Sequence, residues 1–170
     1  PNPKPQTPNP KPQTPECIMD SEDTIAFLRG ELASEDIGAR VNAVYRLSAV
    51  RTLLSQGTLL SLLRDILDNG LDEEIYALSR IMDTLPVDTP GMVDVLMKIC
   101  SNDETMIRMQ GVESIGNIGE HMPEDNVIEC MVPLGIQLCT DDRFTCKCSG
   151  LGILARIYNK AGEWKVAIRR

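Results

Sequence analysis

"SNDETMIRMQGVESI", residues 101–115, opens with polar residues that favour a helix start, then places an arginine ahead of apolar residues at helical spacing. Its second half aligns without gaps on three other stretches. The four are "ARVNAVYRLSAV" (39–50), "EEIYALSRIMDT" (73–84), "IRMQGVESIGNI" (107–118) and "CKCSGLGILARI" (146–157). With Arg40, Glu74, Arg108 and Lys147 as anchors, the third residue onward is always small: Ala43, Ala77, Gly111 and Gly150. The seventh is always aliphatic: Leu47, Ile81, Ile115 and Leu154. Positions one, four and seven after the anchor predict an apolar stripe, and the small residue at three lets another helix approach closely.

A second apolar pattern precedes each of these helices. Eight residues before the anchors stand Leu32, Ile66, Cys100 and Cys139, and fifteen before stand Ile25, Leu59, Val93 and Val132. Cysteine here replaces an aliphatic residue and is expected in the core as a small hydrophobe. Cys148, one residue past its anchor, is expected to face the core as well, and Cys146, just before the anchor, to be the more exposed of the two. Between the paired helices lie short polar turns, "ASEDIG" (33–38), "DNGLDE" (68–73), "SNDET" (101–105) and "TDDRFT" (140–145). They supply capping groups and acidic residues at the positive helix end. Each unit reads as helix, turn, helix.

Composition agrees. Aromatic residues make up 4% of the 170 residues against 42% hydrophobic ones, a mix suited to packed helices. A net charge of −8 speaks against nucleic acid, which requires a surplus of Lys and Arg on one face. The longest apolar run, "VIECMVPLGIQLC", is broken by Glu129 and Pro133 and falls short of the roughly 20 residues that span a bilayer. Six cysteines without a secretory leader or N-x-S/T acceptor are expected to be reduced thiols, which places the chain in the cytoplasm, with the nucleus as a second compartment.

The first residues read differently. "PNPKPQTPNPKPQTP" writes PNPKPQT twice and holds seven of the eleven prolines, so residues 1–16 are expected to be an extended, polyproline-like tail or linker. The helical domain is expected over 20–170, with repeats near 20–57, 58–88, 89–123 and 124–164. Such an array, lacking a polar cap from Leu154 to Trp164, is also expected to self-associate through that end.

The anchors lie 34, 34 and 39 residues apart. Ankyrin repeats need T-P-L-H, which is absent, and tetratricopeptide repeats keep a strict 34 with an aromatic pattern that one Trp and two Phe cannot supply. HEAT repeats tolerate variable length and carry an Asp-containing turn followed by Arg or Lys, as in "SNDETMIRMQGVESI" and "SEDIGARVNAVYRL". The fold expected is therefore all-α, an α-solenoid of about four HEAT-like helical hairpins.

At greater length, "FLRGELASEDIGARVNAVYRLS", "LDEEIYALSRI", "DETMIRMQGVESI" and "DDRFTCKCSGLGILARIY" resemble, in the same order, the amino-terminal HEAT repeats of the scaffold (A) subunits of protein phosphatase 2A. The resemblance covers roughly 23–170. It implies a scaffold without catalysis, whose ridge of turns receives a regulatory (B-type) subunit, while the catalytic subunit is held by carboxyl-terminal repeats beyond this chain. Carried over, the ridge comprises Glu35, Asp36, Asp72, Glu73, Asp103, Glu104, Asp141, Asp142, Arg143 and Phe144, with Arg40, Arg108 and Lys147 behind it. In the fourth turn the family pattern resembles Asp-Trp-Phe-Thr, whereas here it is Asp142-Arg143-Phe144-Thr145, a cation in place of an aromatic anchor.

Catalytic, cofactor and metal sites are not expected. Cys146 and Cys148 are two residues apart on one helix and so do not share a face, and the single histidine, His121, belongs to another repeat. "GNIGE" (116–120) lies within a helical stripe and lacks the G-K-[ST] ending of a phosphate loop. Arg40, Arg108 and Lys147 are expected to pair with carboxylates of neighbouring turns. Two other readings remain: a HEAT or armadillo adaptor for transport or trafficking that binds through its concave helical face, and a HEAT-like nucleic-acid glycosylase, which the charge disfavours.

Overall fold

Polar turns leading into apolar stripes produce helices joined by tight connections. The computed structural model describes residues 21–86 and 91–160. Its helices are α1 (Ser21–Leu32), α2 (Ile37–Val50), α3 (Gln56–Asn69), α4 (Asp72–Ile81), α5 (Met92–Cys100), α6 (Thr105–His121), α7 (Glu124–Asn126), α8 (Val132–Thr140) and α9 (Phe144–Ile157). The proline-rich tail, Cys17 and Trp164 lie outside the described residues. Among those described there is no strand, and no helix is long and apolar enough to cross a membrane.

Hairpins form from α1 with α2, α3 with α4, α5 with α6, and α8 with α9. The second helices also pack in a row, α2 on α4 on α6 on α9, and the first helices α3, α5 and α8 form a parallel row. Contacts that run from each hairpin to its neighbours define an α-solenoid. One core runs between the rows, with Leu28, Leu47, Leu63, Leu78, Leu96, Ile115, Met131 and Ile153 buried along it.

α7 and α8 are joined by a π-helical turn, Val127–Met131, into one continuous helical rod. Pro133 explains the turn. Its ring has no N–H to bond the carbonyl four residues back and crowds that carbonyl, so the preceding turn widens.

The small residues at position three do what their size predicts. Ala43, Ala77, Gly111 and Gly150 are all buried, and the two glycines face the partner helix of their hairpin. A Cβ on Gly111 would lie 2.6 Å from Ile99 Cγ2 and 3.2 Å from Cys100 Sγ; one on Gly150 would lie 2.6 Å from the Gly135 carbonyl oxygen. Cys100 is fully buried beside Gly111, in line with its reading as a substitute for leucine. Gly30 is the contrast. It sits within α1, and a Cβ there would meet nothing within 4 Å. Gly30→Ala is expected to stabilise the fold by about 0.5–1 kcal/mol through helix propensity alone, read as a higher urea midpoint at unchanged slope.

The predicted stripe holds for α4 and shifts in α6 and α9. Ile75 and Leu78 are buried, and Val41 and Val44 partly or fully so, but Met109 is 63% and Leu151 62% exposed. Position seven stays buried in both, as Ile115 and Leu154, but the rest of the buried face in α6 is Ile107, Arg108, Gly111, Ser114, Gly116, Ile118 and Gly119, and in α9 Cys146, Ser149, Gly150, Ile153 and Ile157. The expectation for the paired cysteines is thereby reversed. Cys146 is buried and Cys148 exposed. Gly150 and Leu154 face α8, and residues on that face recur at intervals of three and four, which turns Cys146 inward and Cys148 away.

Candidate partner-binding ridge

Each hairpin turn is built by a local hydrogen bond. Ser34 Oγ accepts the Asp36 N–H at 3.2 Å, Asn102 Oδ1 accepts the Glu104 N–H at 2.7 Å, and Asp141 Oδ1 accepts the Arg143 N–H at 2.8 Å. These side chains mimic a backbone turn and fix the entry to the second helix. Asp36 then caps α2, accepting the Gly38 N–H at 2.8 Å. The second turn uses another device: Glu74, within α4, reaches back to the Leu71 N–H at 3.0 Å.

The anchors stand behind the turns and hold them. Arg40 Nη1 donates to the Ser34 carbonyl at 2.9 Å, and Arg108 Nη1 to the Asn102 and Asp103 carbonyls, both at 2.6 Å. In both cases the arginine closes on the carbonyl six residues before it. Arg108 is buried and bonds Thr105 Oγ1 as well, at 3.0 Å. The expected pairing with neighbouring carboxylates occurs at Arg40 alone among the three anchors: its Nε lies 3.1 Å from Oε2 of buried Glu74, 34 positions later. Lys147 is exposed and enters no ion pair among the described residues.

Glu74 is nearly inaccessible, and Arg40 is its ion-pair partner. Removing the cation strands a carboxylate with little water to replace it. Arg40→Met is therefore expected to lower stability by about 2 kcal/mol, with Glu74→Gln milder because the amide still accepts from Leu71. A double-mutant cycle by urea denaturation measures the pair directly.

Arg143, standing where the resemblance placed an aromatic residue, is engaged in the structure. Its guanidinium donates to both Asp141 oxygens at 3.2 and 3.3 Å, to the Ser101 carbonyl at 2.9 Å and to Asp103 Oδ1 at 3.2 Å. It therefore staples the fourth turn to the third. Hydrogen bonds from Arg143, side chain and backbone, hold the Asp141 carboxyl below its ordinary 3.8. Sequence reading missed this staple, because Arg143 aligns with Glu104 and its partner Asp103 stands one place earlier in the preceding turn.

The remaining ridge residues, Glu35, Asp36, Asp72, Glu73, Asp103, Glu104, Asp142 and Phe144, are exposed along the same edge, and Phe144 is 78% exposed. Two grooves adjoin it. One, of about 340 Å³, lies between the second and third turns and is lined by Asp72, Glu73, Tyr76, Glu104, Met106 and Ile107. The other, of about 540 Å³, runs between α6 and α9 past Met109, Val112, Phe144, Cys148 and Arg156. No grouping of His, Cys, Asp and Glu suited to a metal ion occurs among the described residues.

No family model matches the chain. It is similar to the 65 kDa regulatory A subunit (alpha isoform) of serine/threonine-protein phosphatase 2A from Arabidopsis thaliana, at 29% identity over 143 residues, 79% of this chain and 24% of that protein. It is also similar to the regulatory A subunit of protein phosphatase PP2A from Schizosaccharomyces pombe, 28% identical over 157 residues, 86% of this chain and 27% of the other. The protein phosphatase 2A scaffold subunit of Dictyostelium discoideum is 26% identical over 162 residues, 89% and 28% respectively. The chain spans about a quarter of the length of the curated relatives it matches. Their names are those of regulatory or scaffold subunits.

Proposed function

We propose that the chain is a non-catalytic scaffold in a phosphatase 2A-type assembly, and that its turn ridge receives a regulatory, B-type subunit. The observation that carries this is the ridge itself: three successive turns braced by Arg40, Glu74 and Arg108, a fourth stapled to the third by its own Arg143, and carboxylates presented outward along them. A surface fixed in this way binds by shape and charge without first having to order itself. The similarity to regulatory and scaffold subunits supports the same reading. On it the chain works in the cytoplasm and does not hold the catalytic subunit by itself.

The test mixes the purified chain, separately, with the phosphatase 2A catalytic subunit or with one of its regulatory subunits, and follows size-exclusion with light scattering. The reading requires a complex with only the regulatory partner, lost in a variant carrying Asp103→Lys and Asp142→Lys. No complex with either partner overturns it. The groove between α6 and α9 supports a second reading, a HEAT adaptor that grips its partner on the helical face. In that case Met109→Ser weakens binding and Asp142→Lys does not.

A further inference from the structure

The three junctions between successive turns are not alike. Between the first and second, Arg40 reaches Glu74; between the third and fourth, Arg143 reaches Ser101 and Asp103. Between the second and third turns the cations bridge the first-helix side, where Lys98 at the end of α5 lies 2.5 Å from Asp68 and Arg64 of α3 lies 3.7 Å from Asp94. On the side of α4 and α6 no arginine or lysine crosses the gap among the described residues. On that side the hydrogen bonds among the described residues lie at the far end, where Ser114 Oγ of α6 donates to the Ser79 carbonyl of α4 at 2.7 Å and Asn117 Nδ2 to Asp83, just past α4, at 3.0 Å. At the turn edge the same two helices part over the 340 Å³ groove.

Two properties of that groove describe what fits it. Its floor is apolar, with Tyr76, buried Ile107 and a Met106 that is 61% exposed. Its rim carries Asp72, Glu73 and Glu104, exposed carboxylates that enter no ion pair among the described residues. The rim calls for a cation and the floor for an apolar side chain beside it.

We infer that the junction between the second and third turns is completed in trans, by a segment of a partner protein that presents an arginine next to an apolar side chain. The arginine takes the place that Arg40 and Arg143 take in the flanking junctions, and the apolar residue covers Met106 and Tyr76. This rests on the reading of the ridge as a protein-binding surface and names the point on it where recognition concentrates.

Two probes separate that inference from the reading beneath it. The first is a short capped peptide of alternating arginine and leucine, titrated into the full chain with methionine-methyl NMR as the readout, beside an arginine–glycine peptide of equal charge. The arginine–leucine peptide is expected to shift the Met106 methyl and to bind about tenfold more tightly than its glycine counterpart. Glu73→Gln with Glu104→Gln, and separately Met106→Ser, should each weaken it by about tenfold. Glu124→Gln with Asp125→Asn, an equal charge change elsewhere, should leave it unchanged.

The second probe tests the same variants against a phosphatase 2A regulatory subunit. If both peptides bind alike, or the control pair weakens them as much, the groove reads only diffuse charge and the inference falls. If the regulatory subunit binds and ignores every groove substitution, while the arginine–leucine peptide leaves Met106 unshifted, the inference falls and the scaffold reading stands. Peptide binding at Met106 with no regulatory-subunit complex has the opposite meaning: the groove survives and the phosphatase assignment does not.

Discussion

Gly150→Ala lowers the stability of the chain by about 3 kcal/mol, although alanine is the better helix former. At an exposed helical site the same exchange would gain up to about 1 kcal/mol, as expected for Gly30. At Gly150 the new methyl carbon would stand 2.6 Å from the Gly135 carbonyl oxygen, 2.7 Å from the Cys139 nitrogen and 2.8 Å from its sulfur. Two of these three neighbours are backbone atoms of α8, which have no rotamer to escape into. α9 has to retreat, and Leu154, which packs over Gly135, retreats with it. Urea denaturation followed by circular dichroism gives the difference, and opposite signs for Gly30→Ala and Gly150→Ala would isolate packing from propensity. Equal effects at the two sites would mean that α8 and α9 are less closely packed than described.

The second large effect depends on pH. Burial, with a lesser contribution from neighbouring Cys146, pushes the Cys100 thiol from its ordinary 9.0 up to about 12. Below pH 9 the thiol is protonated in both folded and unfolded chains and contributes no pH dependence. Between about 9 and 12 the unfolded chain releases this proton and the folded chain keeps it. Stability therefore falls as pH rises, with a limiting slope of about 1.4 kcal/mol per unit from this one group. Cys100→Val removes the titration and keeps an apolar side chain of similar size, so the alkaline limb of the stability curve should flatten. Other groups titrate there as well, so the measured quantity is the slope difference between the two proteins from pH 9 to 10. An unchanged slope would show that Cys100 reaches solvent. Cys148, exposed on α9, should react with iodoacetamide in the native protein, whereas Cys100 and Cys146 should do so only after unfolding.

The helices and their pairing were legible in the sequence because the signal is local and repeated. Four stripes in register, each with a small residue at the same place, specify hairpins that close tightly, and Cys100 could be recognised as a core residue because Leu32 and Ile66 occupy its place elsewhere. The inward face of α9 was harder to read. Successive residues on a helix point about 100° apart, so the choice between Cys146 and Cys148 depends on where α8 presses, and that is set by Gly135 and Gly150.

Among the ridge residues, exposure of the carboxylates followed directly from their polar turns. The pairing of Arg40 with a carboxylate of the neighbouring turn was expected, but the task of Arg143 was not, because it depends on distance in space: Arg143 meets Asp103 across 40 residues. The groove at Met106 and Tyr76 was invisible for the same reason. It is a gap between two helices, and no residue of either announces it.

The uneven bracing of the junctions has a mechanical meaning. The middle junction is held by two solvent-exposed ion pairs between α3 and α5 and by hydrogen bonds at the far ends of α4 and α6. A stack clamped at both flanking junctions will flex there first, opening at the turn edge of α4 and α6 like a book whose spine lies near Ser79 and Ser114. The first two hairpins and the last two then swing as two stiff covers. Whatever bridges the free edge fixes the angle between them, and in a longer stack a small change of that angle near one end sweeps the other end through a wide arc.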